Sequence, residues 1–218
     1  MKRAGGETTF TETIDRIRRR LDRADLPGAA AHREMAPEYR SDLSQFTVER
    51  RRCAEAAVLV LLVPVNGISL VLTVRRHDLK HHGGQISFPG GRREAGETLL
   101  QTALRECTEE IGVDDSSVEV LGTMTPLFIP PTGFCVYPFV GRAETTQFQL
   151  DPREVDRILT VPVTELAEPS LRATHTRRLR DRDFVVPHFT IGGEIVWGAT
   201  AMMLAEFALI AGRTATPG

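Results

Sequence analysis

The chain has 218 residues, of which 41% are hydrophobic and 26% are charged, a composition typical of one compact domain with a full core. Its 27 basic and 29 acidic residues leave a formal net charge of -2. This balance gives no global attraction to nucleic acid or to an anionic membrane, so binding to either is not expected unless a local patch provides it.

The cysteines and the apolar runs bear on the cellular compartment. Cys53, Cys107 and Cys135 are odd in number, widely spaced and without a CxxC pair, which disfavours a disulfide framework and a zinc site. We therefore predict reduced thiols. The N-terminus lacks a signal-peptide pattern, and the apolar stretch at 56–65 is too short to span a bilayer. These features predict a soluble, cytoplasmic protein.

The first 52 residues form a polar, arginine-rich leader, and we expect the main domain at 53–213. Thr9 and Glu12 can form a capping box for an amphipathic helix in this leader, and Pro27 and Gly28 are expected to end the helix. A run of charges on such a helix is usually its solvated face, and contact with phosphates is the alternative. The residues concerned are Arg16, Arg18, Arg19, Arg20 and Arg23.

Short apolar runs separated by turn residues predict strands in the main domain. The runs at 56–63 and 68–74 are rich in Val, Ile and Leu and flank a Pro-Val-Asn-Gly segment, which predicts a hairpin. Further strands are predicted at 85–88, 118–124, 134–140, 158–161 and 184–195.

Two core helices complete the predicted elements. Thr98 with Gln101 predicts a capped helix that continues to Ile111, where Gly112 can supply the left-handed C-terminal residue. A second, apolar helix is predicted at 199–211. Strands mixed with two core helices indicate an α/β or α+β sandwich.

The capped helix carries a cluster of glutamates. Glu106, Glu109 and Glu110 are spaced i, i+3 and i+4, so their carboxylates converge on one patch of the helix surface. Repulsion within each close pair costs roughly a few tenths of a kcal/mol, and three convergent carboxylates suit a hard divalent cation. An ordinary acidic helix face is the alternative for these three residues taken alone.

The residues around the cluster match a longer pattern. It runs through Gly91, five residues, Glu97, seven residues, Arg105-Glu106, two residues, Glu109-Glu110, one residue, Gly112 and Val113. This pattern resembles the Nudix box, with all seven fixed letters at the family's spacing. Cys107 stands where an aliphatic residue is more usual, and a thiol packs as a small hydrophobe.

The resemblance implies a Nudix-type α/β/α sandwich with a mixed β-sheet, and hydrolysis of a pyrophosphate linkage. It also implies that Mg²⁺ or Mn²⁺ is bound by Glu106, Glu109, Glu110 and the carbonyl of Gly91, with Arg105 and Glu97 orienting the cluster through a salt bridge. Such ions offset the charge of a diphosphate, act as Lewis acids and lower the pKa of a bound water. Glu154 lies where Nudix enzymes often place an additional glutamate that serves as base or ligand.

A narrower resemblance lies upstream of the box, where the sequence is similar to the coenzyme A diphosphatase signature LLTxR…LRxHxGQxxFPGG. It implies substrate contacts from Arg75, Lys80, His82, Gly84, Phe88 and Gly90. Lys80 stands where the pattern has Arg, which keeps the charge but loses bidentate phosphate recognition. Arg76 stands where the pattern often has Ser or Ala.

Several basic and aromatic residues have two interpretations. His82 and its neighbours His77 and His81 either donate to a diphosphate or are simply exposed. Trp197 is interpreted as a core aromatic and Gly133 as a turn glycine. The basic stretch is expected to form a solvated loop or hairpin edge, and contact with a substrate phosphate is the alternative. It consists of Arg177, Arg178, Arg180 and Arg182.

The resemblances imply hydrolysis of coenzyme A or acyl-CoA to 3′,5′-ADP and (acyl-)4′-phosphopantetheine. A Nudix hydrolase for ADP-ribose or another nucleoside diphosphate derivative is the alternative. A Nudix-fold sensor or RNA-binding module without turnover would be expected to lack a box glutamate, and none is missing. The expected partner is a small molecule, and a homodimer stays open.

Overall fold

A computed structural model describes residues 4–40, 42, 47–49, 51–78, 83–179 and 181–212. The helices are α1 (Ala4–Leu21), α2 (Gly28–Glu34), α3 (Leu99–Ile111) and α4 (Gly198–Ala211). The strands are β1 (Ala54–Val63), β2 (Ser69–Arg75), β3 (Ile86–Ser87), β4 (Gly90–Arg92), β5 (Glu119–Thr123), β6 (Leu127–Ile129), β7 (Phe134–Arg142), β8 (Val155–Pro162), β9 (Arg172–Leu179), β10 (Arg182–Ile191) and β11 (Glu194–Trp197).

Strands β1 to β8 form one mixed sheet. Its central path is β3-β2-β1-β7-β5, with β4 beside β1, β6 beside β7 and β8 beside β2. The pair β1 and β7 is parallel, and the other pairs in this sheet are antiparallel. The predicted β1–β2 hairpin is confirmed. Strands β9 to β11 form a second, antiparallel sheet in the order β11-β10-β9.

The alternation of side chains along β1 creates two cores. Val58, Val60 and Leu62 face one layer together with α1, α4 and parts of the second sheet. Leu59 and Leu61 face the opposite layer, where they pack with α3. Each buried aliphatic side chain of this kind stabilises the fold by roughly 1.5–3 kcal/mol. Helices therefore cover both faces of the sheet, and the expected α/β/α sandwich is confirmed.

The leader packs against the main sheet layer. Ile14, Ile17 and Leu21 of α1 are buried in the same core as α4. Helix α1 already runs from Ala4 and ends at Leu21, so the prediction of a capping box at Thr9 and of an end at residues 27–28 was wrong. Gly28 instead begins α2, which packs on α4.

Four of the five arginines in this run, all except Arg19, contact other groups of the protein. Arg16 and Arg20 each donate to a carbonyl near the C-terminal end of α4, at 3.1 Å. Arg18 pairs with Glu119, and Arg23 pairs with Asp25. These contacts support the interpretation of the run as a helix face.

Some strand predictions differ from the structure. The segment 184–195 is two strands that meet at Gly192 and Gly193, and β4, β6 and β9 were not predicted. Strand β4 begins with two glycines and β9 is rich in arginine, and both residue types are uncommon in strands. Because β9 lies at the edge of its sheet, charged side chains are acceptable there. The basic stretch therefore lies on a hairpin edge, with Arg180 outside the described residues.

Two of the three cysteines form a disulfide, which corrects the prediction of reduced thiols. The parallel pairing places Glu55 opposite Cys135, so Cys53 and Cys135 lie with their Cα atoms 5.7 Å apart. Cys107 is free and buried, and burial raises the pKa of its thiol to about 12. No helix in the described part of the chain is long and apolar enough to cross a membrane.

Candidate active site

Helix α3 is fixed at both ends by the residues that predict it. The N–H of Gln101 donates to Oγ1 of Thr98 at 3.2 Å, and the Thr98 N–H donates to Oε1 of Gln101 at 2.8 Å. Gly112 ends the helix with φ at 71°. Ala103 and Cys107 are buried against the sheet, and of the three glutamates on α3 only Glu109 is largely exposed, at 59% of its side chain.

Arg105 links three carboxylates of the box. Its Nε donates to Oε1 of Glu97 at 2.6 Å, and its Nη1 donates to Oε1 of Glu106 and Oε2 of Glu109, each at 2.9 Å. The expected ion pair between Arg105 and Glu97 is therefore present. These carboxylates raise the pKa of Arg105, so the guanidinium stays charged at the centre of the cluster.

Glu97 is held by more than Arg105. The hydroxyl of Thr102 donates to Oε2 of Glu97 at 2.9 Å, and the Glu94 N–H donates to the same oxygen at 3.0 Å. The hydrogen bond from Arg105, followed by that from Glu94, lowers the pKa of Glu97 from 4.5 to about 2. The sequence reasoning missed Thr102, although a polar residue on the buried side of an otherwise apolar helix face is a signal that could have found it.

Glu110 lies beneath the other carboxylates and is only 7% exposed. Burial, and then the negative charges of Glu106 and Glu154, raise the pKa of Glu110 to about 8, while Arg75 and the Gly90 N–H act in the opposite direction. Among the described residues, its buried Oε2 has no hydrogen-bond partner. A buried carboxylate oxygen of this kind is a strong candidate for a cation ligand.

Gly90 and Gly91 allow the backbone to approach the cluster closely. Gly91 of β4 pairs with Ala57 of β1, and a Cβ at Gly91 would collide with the carboxylate of Glu106. A Cβ at Gly90 would collide with the carbonyl of Ala57. Gly90 is therefore required by the packing of β4 on β1, whereas a side chain at Gly91 would displace the carboxylate of Glu106.

The chain after β7 brings Glu154 to the same place. The N–H of Asp151 donates to the carbonyl of Glu110 at 3.0 Å, which docks this loop on the end of α3. Nη1 of Arg75 then donates to Oε2 of Glu154 at 3.0 Å. Since the charge of Glu154 raises the pKa of both Glu106 and Glu110, the carboxylates lie within electrostatic range of one another.

The other residues expected at the site lie in different settings. Phe88 is 1% exposed and packs in the core, so its side chain is not available to a substrate in this structure, contrary to expectation. Gly84 has φ at 73°, and its N–H donates to the carbonyl of Arg75 at 3.0 Å. Lys80 and His82 lie outside the described residues.

A sequence model of the NUDIX domain matches residues 54–182. The chain belongs to the Nudix hydrolase family. It is 36% identical over 166 residues to the human protein named mitochondrial coenzyme A diphosphatase NUDT8, covering 73% of this chain and 70% of the relative. It is 34% identical over 168 residues to Nudix hydrolase 3 of Caenorhabditis elegans, covering 69% of this chain and 70% of the relative. It is 35% identical over 158 residues to Nudix hydrolase NudL of Pectobacterium atrosepticum, covering 71% and 81% respectively.

As a Nudix hydrolase, the chain is a pyrophosphohydrolase that acts on small molecules such as nucleoside diphosphate derivatives. Nudix enzymes generally need a divalent metal ion such as Mg²⁺ or Mn²⁺. No three His, Cys, Asp or Glu side chains in the described part of the chain are grouped as they would be around a metal ion. Two of the candidate carboxylates, Glu106 and Glu109, are instead paired with Arg105.

The donor set nevertheless fits a hard cation. Glu106, Glu109 and Glu110 offer carboxylate oxygens, which are the ligands that Mg²⁺ prefers. Oε2 of Glu110 is buried and unpartnered among the described residues, and the carboxylate of Glu106 lies close to the backbone of Gly91. A divalent ion held by these carboxylates would add its charge to that of Arg105, which already pairs with Glu106 and Glu109.

Proposed function

We propose that this Nudix hydrolase cleaves the diphosphate linkage of coenzyme A or acyl-CoA, releasing 3′,5′-ADP and (acyl-)4′-phosphopantetheine. The observation that carries the proposal is the position of Arg75. This residue matches a position of the coenzyme A signature. It lies on β2 beside Glu154 and the buried Glu110. The name of the human relative, a coenzyme A diphosphatase, supports the same substrate.

In this proposal, Glu106, Glu109, Glu110 and the carbonyl of Gly91 hold Mg²⁺ or Mn²⁺. Ions held there supply Lewis-acid stabilisation of the negative charge that develops on the diphosphate. Arg105 and Glu97 hold the glutamates in place, as their contacts in the resting protein support.

The remaining site residues bind the substrate and move protons. Glu154 accepts the proton of the water that attacks phosphorus, a role for which its place beside Glu106 and Glu110 is suitable. Arg75 donates to a phosphate oxygen, and the backbone at Gly84 and Gly90 allows the diphosphate to come close. Lys80 and His82 are proposed as further phosphate contacts on the strength of the signature alone.

A side-by-side assay tests the substrate. Purified protein with Mg²⁺ or Mn²⁺ is given coenzyme A, 3′-dephospho-coenzyme A, ADP-ribose and diadenosine polyphosphates, and kcat/KM is measured for each. The proposal predicts the highest value for coenzyme A, because its 3′-phosphate adds charge that cationic side chains can recognise. A preference for ADP-ribose, or equal values for the two forms of the coenzyme, would contradict the substrate while leaving the Nudix chemistry intact.

A further inference from the structure

A cleft of about 370 Å³ lies beside the carboxylate cluster. It is lined by Arg76, His77, Asp78, Pro152, Val155 and Asp156. Arg76 directly follows Arg75, and its N–H donates to the carbonyl of Glu154 at 3.0 Å, so the lining adjoins the backbone of the pair that lies beside Glu110. A molecule whose diphosphate lies on the cluster can therefore extend into this cleft.

The walls of the cleft are fixed by hydrogen bonds. Arg76 donates to both carboxylate oxygens of Asp78, at 2.8 and 2.6 Å, and to the carbonyl of Pro152 at 2.6 Å. Its backbone N–H donates to the carbonyl of Glu154 at 3.0 Å. Arg76 thus joins the segment after β2 to the segment before β8, and its side chain is not free to bind a phosphate.

The charge of the lining disfavours an anionic ligand. One arginine stands against the two carboxylates of Asp78 and Asp156, and both carboxylates stabilise the charged form of Arg76. The neighbouring Arg157 does not neutralise the excess negative charge of the lining, because it pairs with Glu194 as well as with Asp156. A group that carries a phosphate would therefore be repelled, whereas amide and hydroxyl groups could donate to the aspartates.

The size and the apolar wall also fit a neutral chain. Pockets of roughly 300–1,000 Å³ hold small organic ligands, so the cleft can hold an extended arm of a few amide units. Pro152 and Val155 offer apolar contact to methyl and methylene groups. His77 lines the remaining side, and its ring lies close to Gly84.

We propose that this cleft binds the uncharged pantetheine arm of the substrate and that the carboxylates of Asp78 and Asp156, beside the wall built by Arg76, determine this preference. The proposal rests on the proposed function, since only a coenzyme A derivative carries such an arm. Arg76 builds a wall of the cleft, because its guanidinium is held by Asp78 and by the carbonyl of Pro152. The 3′-phosphoadenosine half of the substrate then lies on the other side of the cluster.

Inhibition by two fragments of the substrate tests the cleft. Hydrolysis of coenzyme A by the full chain is inhibited with pantetheine in one series and with 3′,5′-ADP in another. In the variant Asp156→Lys, a cation replaces an exposed carboxylate of the lining. The KI of pantetheine is expected to rise about tenfold, and that of 3′,5′-ADP to change less than twofold. Glu165→Lys, which makes the same charge change at an exposed position outside the lining, is the control and should alter neither.

Each outcome decides a different point. If the KI of 3′,5′-ADP changes and that of pantetheine does not, or if neither changes in a variant that melts like wild type, the cleft proposal is wrong. If Asp156→Lys melts at a lower temperature, Asp156→Asn replaces it, with a smaller rise expected in the same direction. If wild-type protein does not hydrolyse coenzyme A at all, the proposed function has failed. If it does, and pantetheine does not inhibit it, only the cleft has failed.

Discussion

At the scale of single residues, the site depends on hydrogen bonds that orient Arg105. Thr102 is fully buried, and its hydroxyl donates a hydrogen bond to the carboxylate of Glu97. The same carboxylate also accepts a hydrogen bond from Nε of Arg105. Thr102 is therefore a positioning residue, because it acts on the carboxylate cluster only through these two side chains.

Replacing Thr102 by Val keeps the shape of the side chain and removes this hydrogen bond. Because Glu97 and Arg105 then lose a contact that orients them, kcat should fall about tenfold, which corresponds to roughly 1.4 kcal/mol of transition-state stabilisation. The KM for coenzyme A should change little, since no substrate contact is lost. Thr102→Ser keeps the hydroxyl and should restore most of kcat. A variant with Val that retains wild-type kcat would show that Thr102 is only a packing residue.

The lowered pKa of Glu97 predicts how the stability of the protein depends on pH. Because the pKa falls from 4.5 to about 2 on folding, the ion pair with Arg105 stabilises the protein above pH 4.5. This contribution is lost as pH falls toward 2. The metal-free variant Glu97→Gln should melt at a lower temperature than wild type at pH 7, and the difference should shrink between pH 4.5 and pH 2. A difference that stays constant over this interval would contradict the linkage.

At the scale of elements, the sequence predicts those parts that depend on local signals. Thr98, Gln101 and Gly112 determine both ends of α3, and the box spacing determines which face carries the glutamates. The Gly91 strand was missed because its pairing depends on β1, which is distant in sequence. The position of Glu154 came from the resemblance and not from its local sequence, because its place depends on the docking of the 149–151 loop on α3.

The disulfide is another element-scale feature that depends on long-range pairing. Cys53 and Cys135 are separated by 82 residues. In the chain-entropy model, a disulfide that closes so long a loop lowers the entropy of the unfolded chain and thereby raises the free energy of unfolding by about 4 kcal/mol. For a chain of this size that corresponds to a fall of about 10 °C in Tm on reduction. Reducing agent should therefore lower the Tm of wild type and leave that of Cys53→Ser unchanged. An equal response of both proteins would contradict the disulfide.

At the scale of the whole molecule, the main sheet separates the candidate active site from the helices that pack on its other face. Helix α3 and the carboxylate cluster lie on one face, and α1, α2 and α4 lie on the other. Strand β1 contacts both sides, because its successive side chains point alternately into one core and the other. The leader is tied to its side by the buried pair of His32 and Glu206, in which Nε2 lies 2.9 Å from Oε2.

The central claim is that the convergent glutamates of α3 carry out the hydrolysis with a divalent ion. Glu109 tests it most directly, because its side chain is 59% exposed and can be changed without disturbing the core. The measurement is kcat for coenzyme A at saturating Mg²⁺ or Mn²⁺ in Glu109→Gln, with the exposed Glu165→Gln as control. A divalent ion contributes several kcal/mol to such a reaction, so kcat of Glu109→Gln should fall about a hundredfold or more at an unchanged Tm. Turnover close to that of wild type and of Glu165→Gln would contradict the account.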